Sequence, residues 1–477
     1  MSNANDYQAL NDTVISNGYC VGCGACAVPE ESPFTMNLND YGQYEAVLAS
    51  DRVFARASVD IEKVCPFGSG APSEDQIGKD LFDESCDYDS QVGYYQGTYA
   101  GYVAEGAFRD RGSSGGMGTW ILNELLDQGY VDHVINVRPG AEGREDGSML
   151  FAYTVSRSTG ETQAGGKSRY YPVELSEVLR EVRETPGRYA IVGLPCFIKS
   201  VRLLQRQDPV LAERIRYCAG LVCGHLKSTR YADSLAWQMG IEPSRLETID
   251  FRVKNPSAPA NRYSTSAGSA DRQEVVPTNE LFGTDWGAGA FKYKACDFCD
   301  DVFAETADIV VGDAWLPGYV EDSKGTNIIV TRHPDIQALV DNARQEQRLE
   351  LDDISVAQAI QSQDAGLRHR RISIAYRLYR EQREGRWVPP KRISPSKHLK
   401  PRYEQKRQRL RVRLRDLSHH AFIGALKDRD LDTYLKAMRP VYREYKKHSH
   451  SWMTRYLWRI KGAVKRCLRL VPGFQRL

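Results

Sequence analysis

Residues 20–26 read CVGCGAC, three cysteines spaced Cys20-x2-Cys23-x2-Cys26 with only small residues between them. Three thiolates at this spacing let one tight loop wrap a single iron–sulfur cube, as bacterial ferredoxins do for a 4Fe–4S cluster. Zinc sites more often pair their cysteines two by two. The Cys-Pro that usually follows four residues on is missing, because the chain continues AVPE. A Cys-Pro occurs instead at Cys65-Pro66, and Cys65 is read as the fourth ligand. A zinc knuckle or four unliganded thiols is the alternative.

The chain has eleven cysteines in 477 residues. Its first residues, MSNANDYQAL, lack the apolar core of a signal peptide, and no run of eighteen apolar residues occurs. The expectation is a cytoplasmic protein, where cysteines serve metal or redox chemistry rather than disulfides. The length suggests two or three domains. A net charge of +2 conceals a split: residues 391–477 hold 25 Lys+Arg against 6 Asp+Glu, and the remainder is acidic.

Strand signals fall at 131–137, 188–194, 215–223, 248–253, 307–312 and 327–332, with helical patterns at 119–128 and 173–184 between them. This alternation predicts an α/β or α+β core with much parallel pairing, preceded by a ferredoxin-like segment at 1–70. Residues 255–280 read as an exposed loop, 346–395 as a helical segment ending in the linker RWVPPKRISPSK, and 396–477 as a basic helical tail.

A second cysteine group is spread along the core. Cys196 in GLPC and Cys223 in LVCGH each end a predicted strand, where open α/β sheets gather ligands. Cys296-x2-Cys299 precedes the strand at 307–312. These four can converge on one tetrahedral or cubane site, with structural zinc or plain buried thiols as the alternative. Cys218, nearer mid-strand, is read as a core residue, and Cys86 and Cys467 as ordinary thiols.

Residues 109–118, RDRGSSGGMG, lead directly into a helical pattern, an arrangement that can present backbone N–H groups to a phosphate. In order, CxxCGAC, CPF, SSGG, GLPC, LVC, FRVK, CxxC and GDAW resemble the β subunit family of coenzyme F420 hydrogenases and dehydrogenases over residues 15–345. The resemblance implies an FAD-containing iron–sulfur protein, with core parts at 94–172 and 173–345 forming a mixed-sheet flavin-binding unit. It implies one 4Fe–4S cluster on Cys20, Cys23, Cys26 and Cys65 and a second on Cys196, Cys223, Cys296 and Cys299. It brings Ser113, Ser114, Gly115, Gly116, Lys167, Arg252, Lys254 and Asp313 near the flavin. Each of these polar groups can equally cap a helix or pair within the core.

The implied activity is electron transfer between clusters, FAD and a redox partner, such as ferredoxin or a larger enzyme complex, or an organic substrate. A deazaflavin (coenzyme F420) is the family's co-substrate, but other members work without it, in surface-polysaccharide synthesis or pigment reduction. No catalytic acid or base is assigned. Two other readings stand beside this one: a non-catalytic electron-transfer subunit, and a zinc-bearing binding module at a membrane. The tail bears on the last. Residues 452–471 form an apolar stripe flanked by Arg455, Arg459, Lys465, Arg466 and Arg469, suited to an anionic membrane surface or to packing on a protein. Nucleic-acid binding is not expected.

Overall fold

A computed structural model describes residues 3–49, 59–140 and 149–449 of the chain. Its centre is an eight-stranded mixed sheet. The strands are β1 (Gly97–Val103), β2 (His133–Pro139), β3 (Phe151–Ser156), β4 (Tyr189–Gly193), β5 (Ile215–Leu221), β6 (Ile309–Asp313), β7 (Asn327–Thr331) and β8 (Leu349–Asp353). Across the sheet they run β8-β1-β7-β6-β5-β4-β2-β3. The pairs β2–β4, β4–β5 and β5–β6 are parallel, and antiparallel strands close both sides. Parallel strands need both faces covered, and the sequence supplies near-continuous apolar runs such as the buried Ile309–Val310–Val311 to meet that need.

Two helices position the cysteines and the glycine-rich turn. α1 (Met117–Asp127) runs back from that turn and buries Trp120, Ile121, Leu122 and Leu125. α2 (Pro195–Gln205) begins directly after β4, with Pro195 in its first turn where the missing N–H costs nothing.

Several expectations at the level of elements are corrected. Within 255–280, the supposed loop, strands Ser264–Ser269 and Arg272–Pro277 form a hairpin that pairs with Thr248–Val253. The polar run STSAGS carries no apolar alternation, which is why it read as a loop. β1 was not anticipated either. Its sequence GTYAGYV includes Gly101, whose position has no room for a Cβ because the backbone of β8 lies against it.

The linker and the described part of the basic tail are tied to the core. α3 (Ile374–Arg383) precedes a linker that is pinned to the core at Lys391 and Arg392. Arg392 pairs there with Asp75 at 2.8 Å, Glu305 at 2.6 Å and Asp300 at 3.2 Å. α4 (Arg402–Asp428) and α5 (Leu431–His448) form a hairpin against the core, burying Leu410, Leu414, Phe422, Tyr434 and Met438. Arg415 of α4 reaches buried Asp297 at 2.6 Å. Lys391, Arg392, Arg415 and Lys446 thus direct basic charge after residue 390 onto carboxylates of the core. The stripe at 452–471 and Cys467 lie outside the described residues. Among the described residues, no helix is long and apolar enough to cross a membrane.

Candidate redox centre and cofactor cleft

The CVGCGAC loop is shaped by its glycines. Gly22 and Gly24 adopt φ of +69° and +84°, a left-handed conformation that other residues enter only with strain. This curls the loop so that Cys20, Cys23 and Cys26 turn inward together, and Gly22 donates its N–H to Cys20 Sγ at 3.4 Å. Cys65 joins them from the end of a short helical turn at Ile61–Val64, whose start is capped by Asp60. Burial pushes the Cys26 thiol well up, and the neighbouring Cys20, Cys23 and Cys65 push it further. Cys23 rises to about 12, again chiefly from burial.

The second group assembles from four places. Cys196 stands in the first turn of α2, Cys223 just past β5, and Cys296 and Cys299 in a short turn ahead of β6. Burial raises the Cys196 thiol well above its ordinary value, followed by the charges of Cys299, Cys223 and Cys296. Helix α2, which carries Cys196, packs against the Ala25–Ala27 turn that carries Cys26, so the two groups lie on adjoining elements. Leu226 N–H points at Cys296 Sγ at 3.3 Å. Cys218 lies away from both groups, fully buried in β5 with its N–H on Asp308 at 2.6 Å. Cys86 donates to Arg332 O at 3.1 Å, also apart from them.

Among the described residues, no three of His, Cys, Asp and Glu stand close enough to share one metal ion. Thiolates around a single tetrahedral ion would approach to about 3.8 Å, given bonds of roughly 2.3 Å. A cubane gives each cysteine its own iron and holds the sulfurs farther apart. Thiols that burial and mutual repulsion keep protonated need a cationic centre to become thiolates, as metal ligation requires.

A cleft with a cavity volume of about 260 Å³ opens at the carboxyl ends of the parallel strands. Its wall takes in Val192 and Gly193 of β4, Leu221 of β5, Val311 to Asp313 of β6, and the glycine-rich turn at the start of α1. Cys223 also lines it, so the second thiol group borders the cleft directly.

Of the eight residues expected near the flavin, Ser113, Ser114, Gly116, Lys167, Arg252 and Asp313 line this cleft, and Gly115 and Lys254 do not. Their roles are largely internal. Ser113 Oγ accepts from Ser168 N–H at 2.9 Å, and Ser114 Oγ donates to Thr326 O at 3.0 Å. Lys254 ties down the turn by donating to Ser114 O at 2.9 Å and to Arg109 O. Burial lowers its ammonium to about 8, and the nearby Arg109 and Lys167 charges add to the effect. Lys167 pairs with Asp250 at 3.0 Å. The glycines are required by protein packing: a Cβ at Gly115 would come within 2.8 Å of Gly101 O, and one at Gly116 within 2.7 Å of the Phe108 backbone.

Other features of the cleft were not singled out from sequence. His225 stacks on Trp286 with ring centroids 4.4 Å apart, and Tyr170 tilts against the same indole at 4.7 Å. Arg169 Nε, Arg252 Nε and His225 Nε2 are buried there with no hydrogen-bond partner among the described residues. Unspent donors beside an aromatic platform suit a large, polar, planar ligand better than they suit a solvent-filled gap. LVCGH did place His225 beside a candidate ligand, but nothing local linked it to Trp286, 61 residues later.

Comparison with known proteins adds a family context. Two family models described as "Coenzyme F420 hydrogenase/dehydrogenase, beta subunit" match the chain, the N-terminal one over residues 98–180 and the C-terminal one over residues 187–357. The chain is similar to the coenzyme F420-dependent sulfite reductase of Methanocaldococcus jannaschii, with 24% identity over 348 residues. That alignment covers 68% of this chain and 47% of the relative, so the chain spans about half the length of the curated relative it matches. Among solved structures, one polypeptide of the F420-reducing NiFe hydrogenase complex of Methanosarcina barkeri, studied by xenon derivatization, matches with a TM-score of 0.48 and 14% identity. This match covers 64% of the present chain and 99% of the other.

Proposed function

Because the chain belongs to the coenzyme F420 hydrogenase/dehydrogenase β subunit family, we propose that it is an iron–sulfur flavoprotein oxidoreductase. Cys20, Cys23, Cys26 and Cys65 would hold one 4Fe–4S cluster, and Cys196, Cys223, Cys296 and Cys299 a second. FAD would occupy the cleft at the carboxyl ends of β4, β5 and β6. A redox protein or larger complex would meet the chain on one side, and an organic two-electron substrate on the other.

One observation carries this reading. The turn carrying Cys26 packs against helix α2, which carries Cys196, and Cys223 of the same second group lines the cleft, so two thiol groups and a cleft lie one after another. Clusters exchange single electrons, whereas FAD can take either single electrons or a hydride, so a bound flavin supplies the conversion between them. The protein's own part is to hold and insulate. Arg252 is fixed on Asp313, which presents its unpaired Nε at the cleft wall, and Asn327 braces the α1 turn by accepting from Met117 N–H at 3.1 Å. Buried Phe197 and half-buried Tyr153, whose hydroxyl donates to Val192 O at 3.0 Å, line the cleft where it approaches Cys196.

The test is anaerobic purification followed by cofactor analysis. About eight irons, eight acid-labile sulfides and one FAD per chain are expected, as two 4Fe–4S centres and one flavin require. Cys296→Ser should halve the iron. Colourless protein containing zinc would overturn the reading, and four irons unaffected by Cys296→Ser would remove the second cluster from it.

A further inference from the structure

Arg370 is almost completely buried, at 1% exposure, in a single wide turn of π type at Arg368–Ile372. Such turns are uncommon and cluster at functional positions. Its guanidinium is spread across the second thiol group. Nη1 donates to Cys299 Sγ at 3.1 Å and to Asp301 O at 2.6 Å, and Nη2 to Cys223 Sγ at 3.5 Å and to Gly224 O at 2.6 Å. Nε is buried with no partner among the described residues.

A buried arginine normally neutralises a carboxylate, because an unpaired buried cation costs several kcal/mol. Its neighbour Arg371 does this, pairing with Glu305 at 2.5 Å. Among the described residues, Arg370 forms no such ion pair, so the sulfurs it touches are its counter-charge. Two carbonyls fix the fork in place, and only its direction toward Cys223 and Cys299 is left to do chemistry.

We infer that Arg370 tunes the second cluster, raising its reduction potential by placing a fixed positive charge and hydrogen-bond donors on two of its ligand sulfurs. The inference rests on the proposed 4Fe–4S centre at Cys196, Cys223, Cys296 and Cys299. A thiolate-ligated cluster carries net negative charge that grows by one when an electron enters. A neighbouring cation and donors to sulfur therefore stabilise the reduced form more than the oxidised one. Arg370 lies beyond residue 357, where the match to the family ends. The setting is thus supplied by this chain's C-terminal region rather than by the shared core. The charge of Lys391, buried in the pinned linker, acts in the same direction on Cys299.

The experiment is a dithionite titration of the holoprotein followed by low-temperature EPR. Each step delivers one electron to one cluster, with no proton taken up and no bond made or broken. Wild-type iron is counted first: four irons would refute the underlying second cluster, which is distinguishable from a failure of tuning. With eight irons present, Arg370→Met should move one of the two cluster transitions to lower potential and leave the other in place. The expected change is at least tenfold in the reduction equilibrium, about 59 mV for one electron. Arg371→Gln, which breaks the adjacent ion pair, should lower thermal stability without moving either transition. If Arg370→Met does not retain iron, Arg370→Gln, neutral but nearer in shape, decides by the same shift. Unchanged potentials in an iron-replete Arg370 variant, or equal shifts in Arg371→Gln, overturn the inference.

Discussion

Arg252 and Asp313 face each other as a two-pronged ion pair, with Nη1 to Oδ2 at 2.7 Å and Nη2 to Oδ1 at 3.0 Å. The two residues come from different sheets, Arg252 from Thr248–Val253 and Asp313 from the end of β6. The pair therefore staples the small sheet to the large one at the edge of the cleft. The guanidinium also lies over the Tyr263 ring, 4.9 Å from its centroid.

Asp313→Asn should consequently do two things. It leaves a buried guanidinium without its counter-charge, which costs about 3 kcal/mol when one partner of a buried pair is removed. It also frees the cleft wall to move, so flavin should be retained less. Denaturant unfolding and the ratio of flavin to protein after gel filtration test both effects. An unfolding curve matching the parent's would mean that water already screens the pair.

Cys218 and Cys223 were candidates for one role, and their environments separate them. Cys223→Ala should lose iron from the second cluster. Cys218→Ala should keep all of it, because that thiol is enclosed in β5 beside Arg202 and Asp308. Its cost is packing, below the roughly 2–5 kcal/mol of larger core truncations. Bleaching of the visible spectrum in Cys218→Ala alone would reverse the assignment.

The CVGCGAC loop and the parallel strands were readable because their signals are local, one within seven residues and the other in plain apolar runs such as Ile309–Val310–Val311. The second cysteine group, spread from Cys196 to Cys299, was instead drawn together by the order of motifs along the chain. The anchoring of the linker was not readable, for the opposite reason. KRISPSK has the composition of an exposed segment, while the carboxylates that receive Arg392 lie far off in the chain, at Asp75, Asp300 and Glu305. Nothing in the sequence marks Arg370 among its neighbours Arg368 and Arg371, since only the turn geometry directs it inward. The glycines of SSGG were located, but the reason for them lies in backbone from β1 and from Phe108 that only the fold brings close.

Truncations divide the C-terminal region. A chain ending at residue 449 keeps the hairpin of α4 and α5 and should retain iron and flavin at parental levels. A chain ending at residue 400 strips Arg415 from Asp297 and exposes the core beneath the hairpin, where Leu410, Leu414 and Phe422 had packed. Asp297 would keep Lys292, His369 and Arg377 beside it, next to Cys296 and Cys299. That chain should aggregate or lose the second cluster while the CVGCGAC cluster outlasts it. Sedimentation and iron content read the result. Full iron in the shorter chain would show the hairpin to be an independent appendage.

α2 has a consequence for speed as well as structure. Cys196 stands in its first turn, and the same helix packs against the Ala25–Ala27 turn that holds Cys26 of the other group. A single short helix thus acts as the ruler between the two sulfur sites, and its buried Lys199 is bolted to Glu74 at 3.0 Å. Tunnelling probability falls exponentially with separation, so a gap measured along one rigid rod varies far less than a gap across a hinge. In the proposed two-cluster relay, a partner that bends loops or tilts the hairpin on docking would leave the rate of passage between the two sites nearly constant.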